Sequence, residues 1–253
     1  MKSRKLTFEN KDGVQLVGRV DMPDDGEARA FALFAHCFTC SKNLNAVSNI
    51  NRALTDQGFG VLRFDFTGLG ESDGDFSDTN FSSNVADLVN AATYMAGELQ
   101  APQLLIGHSL GGAAVLQAAG EIPSVKAVVT IGAPADPAHV QHLFQDNREE
   151  IDRCGQAVVQ LAGRDFTIKK QFIDDLDQQN LADRIKNLKR ALLVCHGVFD
   201  QTVGIENASA IFGHAKHPKS FLSLDDADHL LTQTAHSRYA GGVIAAWASK
   251  YLG

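Results

Sequence analysis

Five short apolar runs constrain this chain most: "AFALFAH", "FGVLRFDF", "QLLIGH", "VKAVVTIGA" and "RALLVCHG", none with a clean alternation of apolar and polar residues. A strand that is apolar on both faces belongs inside a parallel sheet whose two sides are covered. Helical patterns lie between the runs, at 44–57, 82–99, 110–119 and 206–212. Strand and helix alternating at this spacing predict a doubly wound α/β fold, with a mostly parallel sheet and right-handed crossovers. Ahead of the first run, "RKLTFEN" and "VQLVGRVDM" flank the turn "KDG" and predict an antiparallel hairpin.

The alternation breaks at 134–189, where no buried strand is expected and the composition turns polar and charged. Helical pieces ("AHVQHLF", "KKQFIDDLDQQ") and a hairpin ("AVVQLAGRDFTI") give that stretch its own structure, so it reads as a cap inserted between two core strands. The expected organisation is one domain over 1–253 carrying this cap, a size that suits a single α/β sheet.

Charge narrows the function classes. Lys and Arg number 23 against 30 Asp and Glu, a formal charge of −7 with no basic cluster, so nucleic acid is not an expected partner. No stretch approaches the roughly 18 apolar residues of a membrane helix, and the basic start "MKSRKLTFENKDG" lacks an apolar core, so the expected location is cytoplasmic. The four cysteines, Cys37, Cys40, Cys154 and Cys195, are then expected as free thiols. Cys37 and Cys40 form a C-x-x-C beside His36, but no thioredoxin-like unit or second ligand pair accompanies it, so neither redox nor metal function is read there. "TGLGESDG" has the glycines of a turn and lacks the G-K-[ST] of a phosphate loop.

The chemistry centres on "QLLIGHSLGGAAVLQAAG". Ser109 falls where the buried strand gives way to an Ala-rich helix, with Gly107 and Gly111 letting a strained turn close tightly and hold the hydroxyl above the sheet. The helix start behind it favours developing negative charge. A serine hydroxyl needs a base, and His229 in "DDADHLL", a late loop after the strand "SFLSL", is the choice. His108 adjoins the serine but points elsewhere on a tight turn, and His36, His139, His142, His196, His214, His217 and His236 are assigned to core or surface. Asp200, just beyond "ALLVCHG" at the carboxyl edge of the sheet, is the orienting acid, with Asp136 after "VVTIGAPA" as runner-up. Asp225, Asp226 and Asp228 lie too close to His229 in sequence to be first choices. The oxyanion hole is assigned to the N–H groups of Leu110 and Phe38. His108 and the cap residues Phe144, Phe166, Ile168 and Phe172 are the candidate substrate contacts.

These residues resemble the α/β-hydrolase superfamily over nearly the whole chain. "HCFTCSKN", "LRFDFTGLGESDGDF", "TNFSSNVADL", "IGHSLGGAAVL", "IGAPADPAHV" and "HPKSFLSLDDADHLL" are more closely similar to the hydrolase half of bacterial proteins fused to an OsmC-like peroxidase domain, and the segment around "RFDF" also resembles small cinnamoyl and feruloyl esterases with a comparable cap. The resemblance implies a serine esterase of small acyl substrates, aromatic acyl groups among them, with no metal or organic cofactor and an OsmC-like domain as partner. Many relatives have His-Gly where this chain has His36-Cys37, so a side chain stands in the oxyanion loop where others have none. An aminopeptidase-type peptidase, for which Asp165, Asp174 or Asp175 would hold the substrate amine, and a thioesterase are the enzyme alternatives; a ligand-binding module for a partner domain is the non-enzyme one.

Overall fold

The computed structural model describes residues 1–37, 42–161 and 163–252. Strands β1 (Lys2–Glu9), β2 (Gln15–Met22), β3 (Ala30–Ala35), β4 (Phe59–Phe64), β5 (Leu104–His108), β6 (Ala127–Ile131), β9 (Ala191–Gly197) and β10 (Lys219–Leu224) form one sheet in the order β1-β2-β4-β3-β5-β6-β9-β10. The expected hairpin is β1–β2, with Lys2 opposite Met22 and Glu9 opposite Gln15. Pairing of β2 with β4 is antiparallel and every later pairing is parallel. The five apolar runs became β3, β4, β5, β6 and β9, the doubly wound α/β sheet that the sequence predicts.

Strand β3 shows why the runs lack alternation. Ala30, Ala32 and Phe34 face a core formed with α1 (Asn45–Thr55) and α8 (Thr234–Leu252). Phe31, Leu33 and Ala35 face the opposite core, formed with α2 (Phe81–Glu98) and α3 (Leu110–Ala118). Both faces are dry, so period 2 has nothing polar to mark. Helix α1 buries Val47, Ile50 and Leu54, one stripe at helical spacing. Helix α2 begins at a capping box: Asn80 accepts from the Ser83 N–H at 2.8 Å, and the Ser83 hydroxyl accepts from the Asn80 N–H at 2.9 Å. No helix among the described residues is long and apolar enough to cross a membrane.

The long connection from β6 to β9 contains a 3-10 helix (Pro137–Asn147), α4 (Arg148–Cys154), the hairpin β7 (Gln156–Leu161) and β8 (Arg164–Lys169), α5 (Lys170–Asp177) and α6 (Leu181–Lys186); α7 (Glu206–His214) lies between β9 and β10. The piece expected as a helix at "AHVQHLF" is 3-10, kinked at Phe144, whose φ of −133° is not helical. Ala157, Val159 and Leu161 point inward from β7 while Gln156, Val158 and Gln160 point out, so here alternation does survive. Phe166 meets Phe76 edge to face at 4.9 Å between ring centroids, and Phe144 meets Phe172 at 6.4 Å. Polar ties fasten the connection to the start of α2: Asp175 accepts from the Ser82 N–H at 2.9 Å, and Gln171 accepts from Asn80 at 2.7 Å.

Candidate active site

Strand β5 ends at His108 and α3 begins at Leu110, leaving Ser109 alone on the turn with φ 55° and ψ −129°. That left-handed backbone is costly for a serine and is held from both sides. Its N–H donates to the Ile131 carbonyl at 2.8 Å, and its carbonyl accepts from the Gly112 N–H at 2.8 Å. Gly111 is required for space: a Cβ there would lie 2.4 Å from the His36 carbonyl oxygen and 2.5 Å from that of Ala35. The first turn of α3 therefore touches the end of β3 backbone to backbone.

Three loops at the carboxyl edge converge on the serine. His229 Nε2 lies 3.0 Å from Ser109 Oγ, and His229 Nδ1 lies 2.7 Å from Asp200 Oδ2. Asp200 has its second oxygen occupied by the N–H groups of Thr202 at 2.9 Å and Val203 at 2.8 Å. Burial pushes the Asp200 carboxyl up, but the hydrogen bond and charge of His229, with those two N–H donors, bring it below the usual carboxylate value. The chain Asp200–His229–Ser109 thus has a charged end, an oriented ring and a hydroxyl within reach of the free ring nitrogen.

Gly132, at φ +54°, packs against this chain: a Cβ would lie 3.1 Å from Asp200 Oδ2 and 3.4 Å from His229 Nδ1. The other candidate acids are engaged elsewhere. Asp136 caps the 3-10 helix through the Ala138 N–H at 2.9 Å, Asp225 accepts from Ser223 at 2.5 Å, and Asp228 accepts from the Thr232 N–H at 2.9 Å; Asp226 is exposed.

A cavity of about 310 Å³ opens over Ser109 and His229. Leu110, Val140, Leu143, Leu161, Val203 and Leu230 supply its apolar wall, and His139 and His142 stand beside them. No Asp, Glu, Lys or Arg is among the described residues that line it. Leu110, named as an oxyanion donor, opens α3 and borders this cavity. Phe38, the second donor named, lies outside the described residues.

The residues expected from sequence as substrate contacts lie apart from this cavity. Phe144, Phe166, Ile168 and Phe172 are buried in the core of the β6–β9 connection and none borders the cavity; the rings of Phe166 and Phe172 pack on Phe76, and that of Phe144 packs on Phe172. His108 also stays out of the cavity: its Nε2 lies 2.7 Å from the His229 carbonyl, so it donates to the backbone of the residue expected to be the base. Burial, with the neighbouring His229, pushes His108 down to about 3. His139 and His142 border the cavity instead, with ring centroids 4.7 Å apart. Their spacing of three on one helical turn was the available sequence signal. His196, expected in the core or at the surface, is buried, with Nε2 2.8 Å from the Val203 carbonyl.

The thiols differ from expectation at one place. Cys37, in the cavity wall, is disulfide-bonded, whereas Cys154 and Cys195 are free; Cys40 lies outside the described residues. Burial pushes the Cys195 thiol up, which leaves it inert. Asp165 and Asp174 are exposed, Asp175 is tied to Ser82, and none of the three borders the cavity.

Residues 26–164 match the family described as serine aminopeptidase, S33. Among solved structures, the esterase domain of a Rhodothermus marinus protein is 52% identical with a TM-score of 0.83, covering 100% of both chains. Est1E from Butyrivibrio proteoclasticus, solved with ferulic acid bound, is 20% identical with a TM-score of 0.83, covering 98% of this chain and 99% of its own. The mouse mitochondrial palmitoyl-protein thioesterase ABHD10 is 28% identical over 152 residues, 58% of this chain and 50% of that protein.

Proposed function

Because the chain belongs to the serine aminopeptidase S33 family, within the α/β-hydrolase fold, we propose that it is a serine carboxylesterase that cleaves esters of small, uncharged acyl groups. One observation carries the reading: Ser109, His229 and Asp200 form a continuous hydrogen-bonded chain at the floor of a cavity whose described lining has no charged side chain outside that chain. An aminopeptidase must hold a substrate ammonium, which in an apolar cavity calls for a carboxylate. None is among the described residues that border this one. A volume of about 310 Å³ sits at the low end of the roughly 300–1,000 Å³ typical of small-ligand sites, which favours short acyl chains. The Rhodothermus esterase domain, at 52% identity over its full length, supports the same chemistry.

Ser109 Oγ attacks the ester carbonyl while His229 Nε2 takes its proton. The oxyanion is held by the Leu110 N–H and, in the same reading, by that of Phe38. Protonated His229 then gives its proton to the departing alkoxide oxygen, leaving an acyl-serine. Water attacks the acyl carbon, again deprotonated by His229, and the collapse of the second tetrahedral intermediate returns the proton to Ser109 and frees the acid. Asp200 keeps the proton on Nδ1, so that Nε2 faces the serine as a base.

The test is hydrolysis of p-nitrophenyl esters from acetate to octanoate, beside an amino-acid arylamide, with wild type and Ser109→Ala. Ester turnover that peaks at short chains and falls ~10⁴-fold or more in Ser109→Ala is expected. Preferred turnover of the arylamide would replace the esterase by a peptidase, and equal rates in both proteins would remove Ser109 from the mechanism.

A further inference from the structure

Besides His229, two rings interrupt the apolar wall over Ser109, and each is committed at one nitrogen. His142 Nδ1 donates to the His139 carbonyl at 2.5 Å, and His139 Nε2 donates to the Thr202 carbonyl at 3.3 Å. A carbonyl oxygen only accepts, so each contact places a proton on the nitrogen that makes it. A neutral imidazole carries one such proton, which leaves His139 Nδ1 and His142 Nε2 as lone-pair acceptors. Neither has a partner among the described residues. The backbone thus fixes both tautomers, and what the pair offers a ligand is acceptance. Neither ring enters the acyl-transfer steps.

Burial places the pair within the cavity. Val140, Leu161 and Val203 are buried and form the inner wall, whereas His142 and Thr202 are exposed and His139 is half-buried, so the acceptors stand toward the open side. An ester held at Ser109 has its two halves in different surroundings. The acyl half stays on the serine after the first step, while the alcohol must depart before water can attack. The leaving alcohol therefore belongs on the open side. The acyl chain belongs against the buried leucine and valines, where a hydroxyl would lose its water with nothing to bond in exchange. We propose that His139 and His142 form an alcohol subsite, which selects esters whose leaving alcohol carries a second hydroxyl and accepts a hydrogen bond from that hydroxyl. The inference rests on the esterase reading above.

Matched esters read this preference directly. The alcohols of 2-hydroxyethyl butyrate and propyl butyrate differ by a hydroxyl for a methyl, as do those of 3-hydroxypropyl butyrate and butyl butyrate. In the wild type, the hydroxylated member of at least one pair should have a kcat/KM ~3- to 10-fold above its plain partner, the worth of one net hydrogen bond. His142→Phe and His139→Phe keep an aromatic ring without the acceptor, and in the double variant the ratio should fall to about 1. His142→Gln, whose amide oxygen accepts, should keep part of the preference. A change in cavity shape alone would move both members of a pair together and leave their ratio in place. p-Nitrophenyl 3-hydroxybutyrate beside p-nitrophenyl butyrate should show no such gain, since its hydroxyl lies on the acyl half. A wild-type ratio of 1 or less in both pairs, a ratio that survives the double variant, or a preference that follows the acyl hydroxyl overturns the inference. A wild type that hydrolyses neither these esters nor p-nitrophenyl butyrate would instead overturn the esterase reading.

Discussion

His108 Nε2 lies 2.7 Å from the carbonyl oxygen of His229, so the residue preceding the proposed nucleophile holds the backbone of its proposed base. The ring centroids are 5.0 Å apart. Two loops that must agree to within a fraction of an ångström are thus joined by one hydrogen bond. His108→Ala leaves the His229 carbonyl without this donor and should lower kcat for a p-nitrophenyl ester by ~10²-fold with little change in KM. His108→Gln retains a donor and should recover part of the loss. Equal activity in the alanine variant would show that the loop needs no such tie.

The same histidine sets an acid limit on stability. Folded His108, held down to about 3 by burial and by His229, stays neutral where an unfolded histidine takes a proton below about 6.5. Between those values the unfolded chain binds more protons, so its stabilising contribution is complete above about pH 6.5 and drains away as pH falls toward 3. Buried His36 is shifted in the same direction by burial. Tm should fall from pH 7 to pH 4, and the slope should be shallower in His108→Gln. Comparing the two proteins cancels Asp87, whose carboxyl burial pushes up and whose effect has the opposite sign. Identical slopes would mean that His108 accepts its proton while folded.

Between the two candidate acids the substitutions should differ in kind. Asp200→Asn removes the charge that orients His229 and should cost ~10³–10⁴ in kcat. Asp136→Asn touches only the cap of a 3-10 helix, so kcat should hold and stability should change by about 1 kcal/mol at most. Kinetics and thermal melting of the pair decide the assignment.

Gly132→Ala would place a methyl 3.1 Å from Asp200 Oδ2 on a backbone that disfavours it. A few tenths of an ångström of retreat by Asp200 or His229 should appear as a loss of kcat of ~10-fold or more, with KM nearly constant. A fully active alanine variant would show that the acid–base pair tolerates that shift.

Leu161 borders the cavity and Phe144 does not. Leu161→Ala should move the ester preference toward longer acyl chains. Phe144→Ala, made in a packed aromatic cluster, should cost about 3–5 kcal/mol of stability and leave the chain-length profile where it was. The reverse pattern would reinstate the aromatic residues as substrate contacts.

What the sequence made legible follows from how local each signal is. The turn at Ser109 is written in consecutive residues, since only small neighbours permit so close an approach to β3. Asp200 and His229 each follow a strand end, and a parallel sheet gathers such ends on one edge. The cavity wall was not legible because an aromatic in an inserted segment reads the same whether it faces a ligand or another ring: Phe166 meets Phe76, which lies 90 residues earlier in the chain. The bond at Cys37 contradicts an inference drawn from compartment and size, neither of which bears on a single pair.

The apolar wall over Ser109 draws Val140, Leu143 and Leu161 from one uninterrupted stretch between β6 and β9, whereas Ser109, Asp200 and His229 come from three separate strand ends. A single exchange of that stretch between related genes would replace half of the apolar wall in one step and leave the proposed reaction machinery as it stands.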